Sequence, residues 1–272
     1  MKKFTHFHRL IAAAAALVCV LPLAACSGKS DSKTIIVGAS PSPHAKILAA
    51  AKPLLEEKGY TLEIREFTDY VIPNEALESG ELTANFFQHQ PYLTDFNAKK
   101  GTHLVSVASI HFEPLGIYAG KSTSLENIPQ NAKISVPNDT TNEARALQLL
   151  ESKGIIKLKS NVGLEATPRD IVENPYNIEI VEMEAAQVPR TLSDVDFGIA
   201  NGNYASLGNI TDKRLAAEDQ NSDELKQFAN IVAVKEGHEK DPGVVALVEA
   251  LTSDTIRTFI NESCGDVAVA VF

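Results

Sequence analysis

The sequence predicts an α/β fold, with helices packed on both faces of its sheets. Short apolar runs typical of buried strands alternate with segments whose apolar side chains recur at helical spacing. The composition, 44% apolar and 22% charged residues, is that of a globular protein. The 272-residue chain is long for one compact core, which favours two lobes. Ligands of open α/β sheets bind at the carboxyl ends of strands, so two facing lobes would form a cleft.

The N-terminal segment has the features of a targeting sequence. Its first nine residues include three lysine or arginine side chains, and residues 10–21 form an apolar run shorter than the ~20 residues that span a bilayer. Residues 23–26, Leu-Ala-Ala-Cys, resemble the lipobox of bacterial lipoproteins. The resemblance implies a signal peptide over residues 1–25, a diacylglyceryl group on Cys26 and a flexible tether over residues 26–33. A plain secretory signal with an incidental cysteine is the alternative.

Cysteine and charge counts exclude several classes of protein. Once the signal peptide is removed and Cys26 is acylated, the only thiol left is Cys264, so no intrachain disulfide is expected. Loss of the three basic residues of the signal takes the net charge from −10 to −13. An acidic chain is repelled by nucleic-acid phosphates, so we expect no nucleic-acid partner.

The apolar patterning from Thr34 onward predicts seven strands and five helices. Gly59, Gly80, Gly101 and Gly154 are the predicted helix ends, since glycine tolerates the left-handed conformation found there. The predicted strands are residues 35–37, 60–67, 104–110, 134–136, 178–183, 197–200 and 231–234. The predicted helices begin near residues 47, 73, 91, 140 and 242.

Two of these helices carry specific expectations. Pro53 lies inside the first helix and predicts a kink or a break there, because proline has no backbone N–H. Asp241-Pro242 opens a final helix, and apolar residues at helical spacing from Val245 to Phe259 predict that it is long.

A search for catalytic motifs finds none. The chain has no nucleophile elbow, no phosphate-binding glycine loop and no dinucleotide-binding fingerprint. Five histidines follow the signal, and they are scattered: His44, His89, His103, His111 and His238. We therefore expect no catalytic residue, no metal ligand and no cofactor. A metal-dependent hydrolase is the remaining enzymatic hypothesis, and stoichiometric zinc in the purified protein would favour it.

Residues 137–145 place polar side chains where a strand ends and a helix begins. Thr140 and Glu143 have capping-box spacing, which predicts Thr140 as the N-cap. Asn142 and Arg145 then lie on one face of the first turns, beside the positive end of the helix dipole. This combination suits an anion such as a carboxylate. The alternative is a capped helix whose arginine pairs with an Asp or Glu of the protein.

Two further groups of residues allow a structural or a binding interpretation. Six rings fall within 26 residues, and they either pack a core or line a pocket for a polarizable thioether: Phe67, Tyr70, Phe86, Phe87, His89 and Tyr92. Asn201-Gly202-Asn203 follows a predicted strand and forms either a tight turn or a set of amides for a charged ligand.

Several long motifs resemble the methionine-binding lipoproteins of the NlpA/MetQ family. Residues 67–77 read F-T-D-Y-V-I-P-N-E-A-L, residues 87–93 read F-Q-H-Q-P-Y-L, and residues 136–147 read V-P-N-D-T-T-N-E-A-R-A-L. Residues 172–175, 188–190 and 201–205 are similar to that family as well. The resemblance runs in order from about Thr34 to the final helix.

The family resemblance implies a periplasmic-binding-protein-like fold of two α/β lobes joined by two crossover segments. Lobe I would comprise residues 34–113 plus 231–272, and lobe II residues 114–230. The crossings are expected near residues 111–117 and near Asn230.

The resemblance also implies roles for individual residues around a methionine held between the lobes. Arg145 would bind the α-carboxylate with help from Asn142, and Asn201 would hold the amino-acid head group. The thioether pocket would be lined by four rings: Tyr70, Phe87, His89 and Tyr92. Phe86 and Asn203 are weaker candidates.

The resulting hypothesis is a lipid-anchored extracytoplasmic solute-binding protein of the cell membrane. It would deliver L-methionine to an ABC importer, its permease and ATPase complex. The same fold with another cargo (D-methionine, another neutral amino acid or a methionyl dipeptide) is one alternative. A surface lipoprotein that acts mainly as an adhesin is the other.

Overall fold

The computed structural model describes residues 33–219 and 222–272. The predicted signal peptide, the acylated Cys26 and all of the tether except Lys33 lie outside these residues. Within the described ranges, no helix combines the length and the apolar character that crossing a bilayer requires.

The described chain contains thirteen strands and seven α-helices. The strands are β1 (Thr34–Ala39), β2 (Thr61–Glu66), β3 (Ala84–His89), β4 (Leu104–Phe112), β5 (Gly116–Ala119), β6 (Lys133–Pro137), β7 (Lys157–Leu158), β8 (Ile171–Glu173), β9 (Glu179–Met183), β10 (Phe197–Ala200), β11 (Arg214–Ala217), β12 (Ala229–Lys235) and β13 (Val269–Ala270). The helices are α1 (His44–Glu57), α2 (Ile72–Glu78), α3 (Gln90–Lys100), α4 (Thr140–Ser152), α5 (Gly202–Leu207), α6 (Pro242–Leu251) and α7 (Asp254–Ser263).

The first sheet has six strands in the order β13-β4-β12-β3-β1-β2. Strands β2, β1 and β3 run parallel, and β12 pairs antiparallel with both β3 and β4. Apolar residues of α1, α6 and α7 cover one face, with Leu48, Leu247 and Ile256 fully buried against Val37. Residues of α2 and α3 pack on the other face, so β1 is covered on both sides, which explains its apolar run from Ile35 to Val37.

The second sheet has five strands in the order β11-β5-β10-β6-β9. Strands β10, β6 and β9 run parallel, and β5 pairs antiparallel with β10 and β11. Helix α4 packs Leu147 and Leu150 on one face of this sheet, against Ile134 and Phe197. This separate core confirms the predicted class of several α/β layers with helices on their faces.

The chain passes between the two sheets twice. Residues 113–115 connect β4 to β5, and the return lies between β11 and β12, in the chain from 218 to 228. The crossings expected near residues 111–117 and near Asn230 fall at or beside these connections. The exact lobe boundaries at 113/114 and 230/231 stay a prediction.

The expected interruption at Pro53 is wrong as regards a break, because α1 runs without a gap from His44 to Glu57. Proline removes the hydrogen bond to the carbonyl four residues earlier, which belongs to Ala49. Both Pro53 and Ala49 lie on the exposed side of the helix, where solvent can replace a lost backbone hydrogen bond, so the helix can continue.

The single long final helix is also wrong, because the segment forms two helices, α6 and α7. Ser253 separates them in an extended conformation, and its hydroxyl accepts a hydrogen bond from the N–H of Ile256. The apolar periodicity continues through both helices and therefore could not reveal the break. Serine at an N-cap position was the signal that a second helix begins.

The N-cap of α4 is Asp139, not Thr140 as predicted. Asp139 has extended backbone angles, and its Oδ1 accepts hydrogen bonds from the N–H and the side-chain amide of Asn142, at 3.1 and 2.8 Å. Thr140 is the first helical residue instead. Both residue types are good caps, so only the backbone conformation decides between them.

We expect Asp139→Ala to lower the free energy of unfolding by about 1 kcal/mol, since the N–H of Asn142 in the first turn of the helix then loses its acceptor. Thr140→Ala is the matched control and is expected to change stability by less than half as much. Urea unfolding of both variants measures the difference. A larger loss for the threonine variant would restore Thr140 as the cap.

Candidate functional site

One cavity among the described residues lies at the carboxyl ends of strands from both sheets. Its empty volume is about 320 Å³, which includes space open to solvent. All seven residues predicted to bind ligand line this one cavity: Tyr70, Phe87, His89, Tyr92, Asn142, Arg145 and Asn201. Four more residues complete the wall: Gln88, Glu113, Asn203 and Asn230.

The strand ends explain why these side chains meet. Phe87 and His89 lie at the end of β3 in the first sheet, and α3 follows directly with Tyr92. Asn142 and Arg145 lie in the first turns of α4, which follows β6 of the second sheet. Ligand sites of open α/β sheets form where parallel strands deliver their carboxyl ends to a common edge.

Arg145 is almost completely buried, with 3% of its surface exposed. Its Nε and Nη2 donate to the carboxylate of Glu218 at 2.6 and 2.5 Å, and Nη2 also donates to the backbone carbonyl of Glu113 at 2.8 Å. The guanidinium stacks over Phe228, 4.5 Å from the ring centre. Both interpretations of the sequence therefore hold in part: the arginine lines the cavity, and it also pairs with an acid of the protein.

His89 connects the two sides of the cavity. Its Nδ1 accepts the N–H of Tyr92, so the proton is on Nε2, which lies 3.2 Å from Asn142 Oδ1. The same oxygen accepts from the side-chain amide of Asn201 at 2.8 Å. Burial, with the positive charge of Arg145, lowers the pKa of His89 to about 3, so the imidazole is neutral at ordinary pH.

The aromatic wall is built from Tyr70, Phe87 and Tyr92. Their ring centres are 5.7 to 6.2 Å apart, at the spacing of packed aromatic pairs. Phe86 does not reach the cavity: it is fully buried and packs edge-on against His44 in the first core. Neighbouring residues of a strand point to opposite faces, so only one of the two phenylalanines could line the cavity.

Glu113 is the charged residue of the site that sequence reasoning missed. Its Oε2 accepts the N–H of Asn203 at 2.7 Å, and its Oε1 lies 2.8 Å from His111 Nε2 and 3.3 Å from His44 Nε2. Burial raises the pKa of this carboxyl above its usual range. The available signal was its position, directly after β4 at a crossing between the sheets.

His44, His111 and Glu113 have donor atoms close enough to hold a metal ion. Metal-bound histidines almost always donate their second ring N–H to a partner, yet among the described residues neither Nδ1 atom has a hydrogen-bond partner. Burial lowers the pKa of His44 to about 4 and that of His111 to about 3, so both rings are neutral. His111 Nε2 donates to Glu113, whereas His44 Nε2 donates to Asn230 Oδ1 at 2.8 Å. This geometry favours neutral rings that position polar partners rather than a metal centre.

Two asparagines present unused polar atoms to the cavity. Among the described residues, Asn201 Oδ1 and Asn203 Nδ2 are buried and have no hydrogen-bond partner. Buried polar groups are normally paired, and an unpaired one costs free energy. One acceptor and one donor are therefore available to a ligand with groups of the opposite kind.

Two sheets, two crossings and a cavity at facing strand ends define a periplasmic-binding-protein-like fold. The chain belongs to the family described as NlpA lipoprotein, whose model matches residues 35–272. It is 39% identical to the membrane lipoprotein TpN32 of Treponema pallidum over 251 residues, which covers 91% of this chain and 92% of that protein. It is 38% identical to the D-methionine-binding lipoprotein MetQ of Salmonella typhimurium, covering 93% of this chain and 94% of that one.

A solved structure with a bound ligand is also similar to this chain. A nutrient-binding protein from Burkholderia cenocepacia, bound to methionine, matches with a TM-score of 0.82 and 41% sequence identity. The match covers 88% of this chain and all of that one. The family predicted from the motifs is therefore confirmed, while the individual ligand contacts stay predictions.

The depressed pKa of His89 predicts a pH dependence of stability. Between pH 6.5 and about 4 the unfolded chain protonates this imidazole and the folded protein does not. The free energy of unfolding of the ligand-free wild type, minus that of a His89→Asn variant, should therefore fall by about 1.4 kcal/mol for each pH unit below pH 6.5. Asparagine keeps an acceptor at the N-cap of α3.

Urea unfolding at pH 7.5, 5.5 and 4.5 measures this difference. His103→Asn, at an exposed position, controls for the general loss of an imidazole. If the difference in unfolding free energy between wild type and His89→Asn is the same at all three pH values, His89 protonates in the folded protein.

Proposed function

We propose that this protein is a lipid-anchored, extracytoplasmic solute-binding protein that delivers methionine to an ABC importer. The observation that carries the proposal is the cavity itself, which combines Arg145, Glu113, an aromatic wall and two side-chain amide atoms without a partner among the described residues. Membership of the NlpA family and the methionine-bound relative support the same cargo.

The polar side of the cavity suits the head group of an amino acid. Arg145 faces the α-carboxylate, aided by the free amide donor of Asn203, and Glu113 faces the α-ammonium, aided by the free oxygen of Asn201. Opposite charges on the wall offset the cost of taking both ligand charges out of water. The neutral ring of His111 donates to Glu113, and the neutral ring of His44 lies 3.3 Å from it, so neither ring cancels the charge of Glu113.

The apolar side of the cavity suits a thioether. Sulfur is polarizable and gains about 0.3–1.5 kcal/mol against an aromatic ring. Tyr70, Phe87 and Tyr92 supply three such rings. The two tyrosine hydroxyls already bond within the protein: Tyr70 OH donates to Asn203 Oδ1 at 2.6 Å, and Tyr92 OH donates to the carbonyl of Tyr70 at 3.0 Å. The rings therefore present their carbon surfaces to the ligand.

Contacts across the cleft describe a closed state. Tyr204 OH donates to the carbonyl of Thr68 at 3.1 Å, and the hydroxyls of Ser42 and Ser206 are 3.0 Å apart. These bonds join the part of the chain around the first sheet to α5 beside the second. We infer that binding selects this closed form, which excludes water and strengthens the hydrogen bonds to the ligand.

The proposal includes the cellular context that the family implies. Cleavage before Cys26 and acylation of its sulfur would hold the protein at the outer face of the cell membrane. The permease and ATPase complex of an ABC importer would receive the cargo. No catalytic step is needed, and the protein would act by binding and release alone.

We expect methionine to stabilise the protein against heat. At 100 times the dissociation constant, one bound ligand adds about 2.7 kcal/mol, and for a chain of this size that is a rise in Tm of roughly 5–11 °C. Differential scanning fluorimetry with an extrinsic dye, on protein first unfolded to remove carried-over ligand, measures the shift. Mass spectrometry of the released ligand names the natural cargo.

The Arg145→Ala variant should lose most of the rise in Tm with methionine, because the ligand carboxylate then lacks its cation. L-methionine, D-methionine and a methionyl dipeptide are the three ligands to compare. No shift with any of them would argue against the proposed cargo. A normal shift in the Arg145→Ala variant would remove the carboxylate role of that residue.

We expect methionine affinity to fall as the pH drops through the raised pKa of Glu113, because the ammonium binds only the ionised carboxylate. Glu113→Gln should weaken binding about tenfold or more at pH 7 and flatten this dependence. Isothermal titration calorimetry at pH 7.5, 6 and 5 measures both effects. Glu66→Gln, at an exposed position on β2, is the control. Equal pH profiles for wild type and Glu113→Gln would show that Glu113 does not meet the ammonium.

A further inference from the structure

Glu218 pairs with Arg145 from outside the cavity wall. The two charged side chains are 6% and 3% exposed, and the carboxylate spans two nitrogens of the guanidinium, Nε and Nη2. Such a two-point contact fixes the plane of the guanidinium as well as its position. The residues are 73 positions apart, so only the fold brings them together.

Glu218 is itself held rigidly on the crossover between the sheets. Its Oε2 accepts the N–H of Leu115 at 2.8 Å, and its own N–H donates to the carbonyl of Leu115 at 3.0 Å. Leu115 is fully buried and lies just before β5. These two bonds make Glu218 an extension of the pairing between β5 and β11, so it cannot move without disturbing the edge of the second sheet.

The other contacts of Arg145 complete this support. Nη2 donates to the carbonyl of Glu113, and Phe112 and Phe228 lie with their ring centres 5.6 and 4.5 Å from the guanidinium carbon. Nε and Nη2 are thus engaged by the protein. Among the residues that the structure describes, none accepts a hydrogen bond from the remaining nitrogen, Nη1, which is therefore the one left for a ligand.

We propose that Glu218 is a positioning residue that orients Arg145 so that Nη1 meets the carboxylate of the bound amino acid. This inference rests on the proposed function, since it concerns the recognition of the same ligand. It also predicts the selectivity of the site: the carboxylate is bound through one nitrogen, and removal of Glu218 weakens only ligands that carry a carboxylate.

A competing role for Glu218 would produce the opposite result. A carboxylate that occupies Arg145 in place of the ligand must leave when the ligand binds, and its removal would strengthen binding. The double anchor to Leu115 favours a fixed partner, because a displaced Glu218 would leave a buried carboxylate without its donors.

A double-mutant cycle tests the proposal. The variants are Glu218→Gln, Arg145→Gln and the two changes together. Glutamine at both positions leaves no unpaired buried charge in the double variant. Calorimetry gives the affinity for methionine and for methioninol, the analogue that keeps the ammonium and thioether but has no carboxylate. Glu173→Gln, which removes one acid from an exposed pair with Lys157, is the matched control.

We expect Glu218→Gln to weaken methionine binding about tenfold or more and to change methioninol binding less than about threefold. In the Arg145→Gln background the same change should have no further effect on methionine affinity. Three outcomes would each overturn the positioning role. They are unchanged or tighter methionine binding by Glu218→Gln, additive affinity losses for the two substitutions, and equal affinity losses for methionine and methioninol.

The outcomes also separate this inference from the proposed function. Failure of the wild type to bind methionine removes the function, whereas wild-type binding with additive losses removes only the role of Glu218. Should Glu218→Gln fail to fold, Glu218→Asp keeps the charge but is shorter by one methylene and cannot keep both contacts. It is expected to show the same loss for methionine and the same small change for methioninol, and full methionine affinity in that variant would overturn the proposal.

Discussion

The buried guanidinium of Arg145 is the constraint on which the site depends. A charge taken out of water must be paired and hydrogen-bonded, and Arg145 meets this requirement with Glu218, the carbonyl of Glu113 and the face of Phe228. These partners lie on the two connections between the sheets. The same contacts that stabilise the arginine therefore also bring the two halves of the chain to one cavity.

The ionisation states follow from burial. Three histidines around the cavity stay neutral, and each one donates or accepts through a defined nitrogen: His44, His89 and His111. Glu113 is then the acid that lines the cavity, with Arg145 as the cation. A zwitterion completes this arrangement, and the aromatic wall supplies the surface for its apolar end. The chemistry of the cavity thus favours a small amino acid over a purely apolar or purely anionic ligand.

Differences between the sequence expectations and the structure have local physical causes. Pro53 is expected from the sequence to kink or break α1, but the helix is continuous there, and Pro53 and Ala49 both lie on its exposed side. Asp139 and Thr140 are both competent caps, and the extended conformation of Asp139 decides between them. Strand β3 is buried on both faces, so its pattern could not show that Phe87 rather than Phe86 lines the cavity.

Local patterns in the sequence are enough to predict the α/β class, most strands and helices, the family, and seven residues that line one cavity. Periodicity, capping residues and motifs are local signals, so neighbouring residues carry them. The partners that surround Arg145 come from distant parts of the chain and are visible in the folded protein alone. Glu218 is 73 positions from it, and Glu113 is joined to His44 and Asn203 across distant parts of the chain. Contacts between remote segments depend on how the two sheets meet, and no local pattern records that geometry.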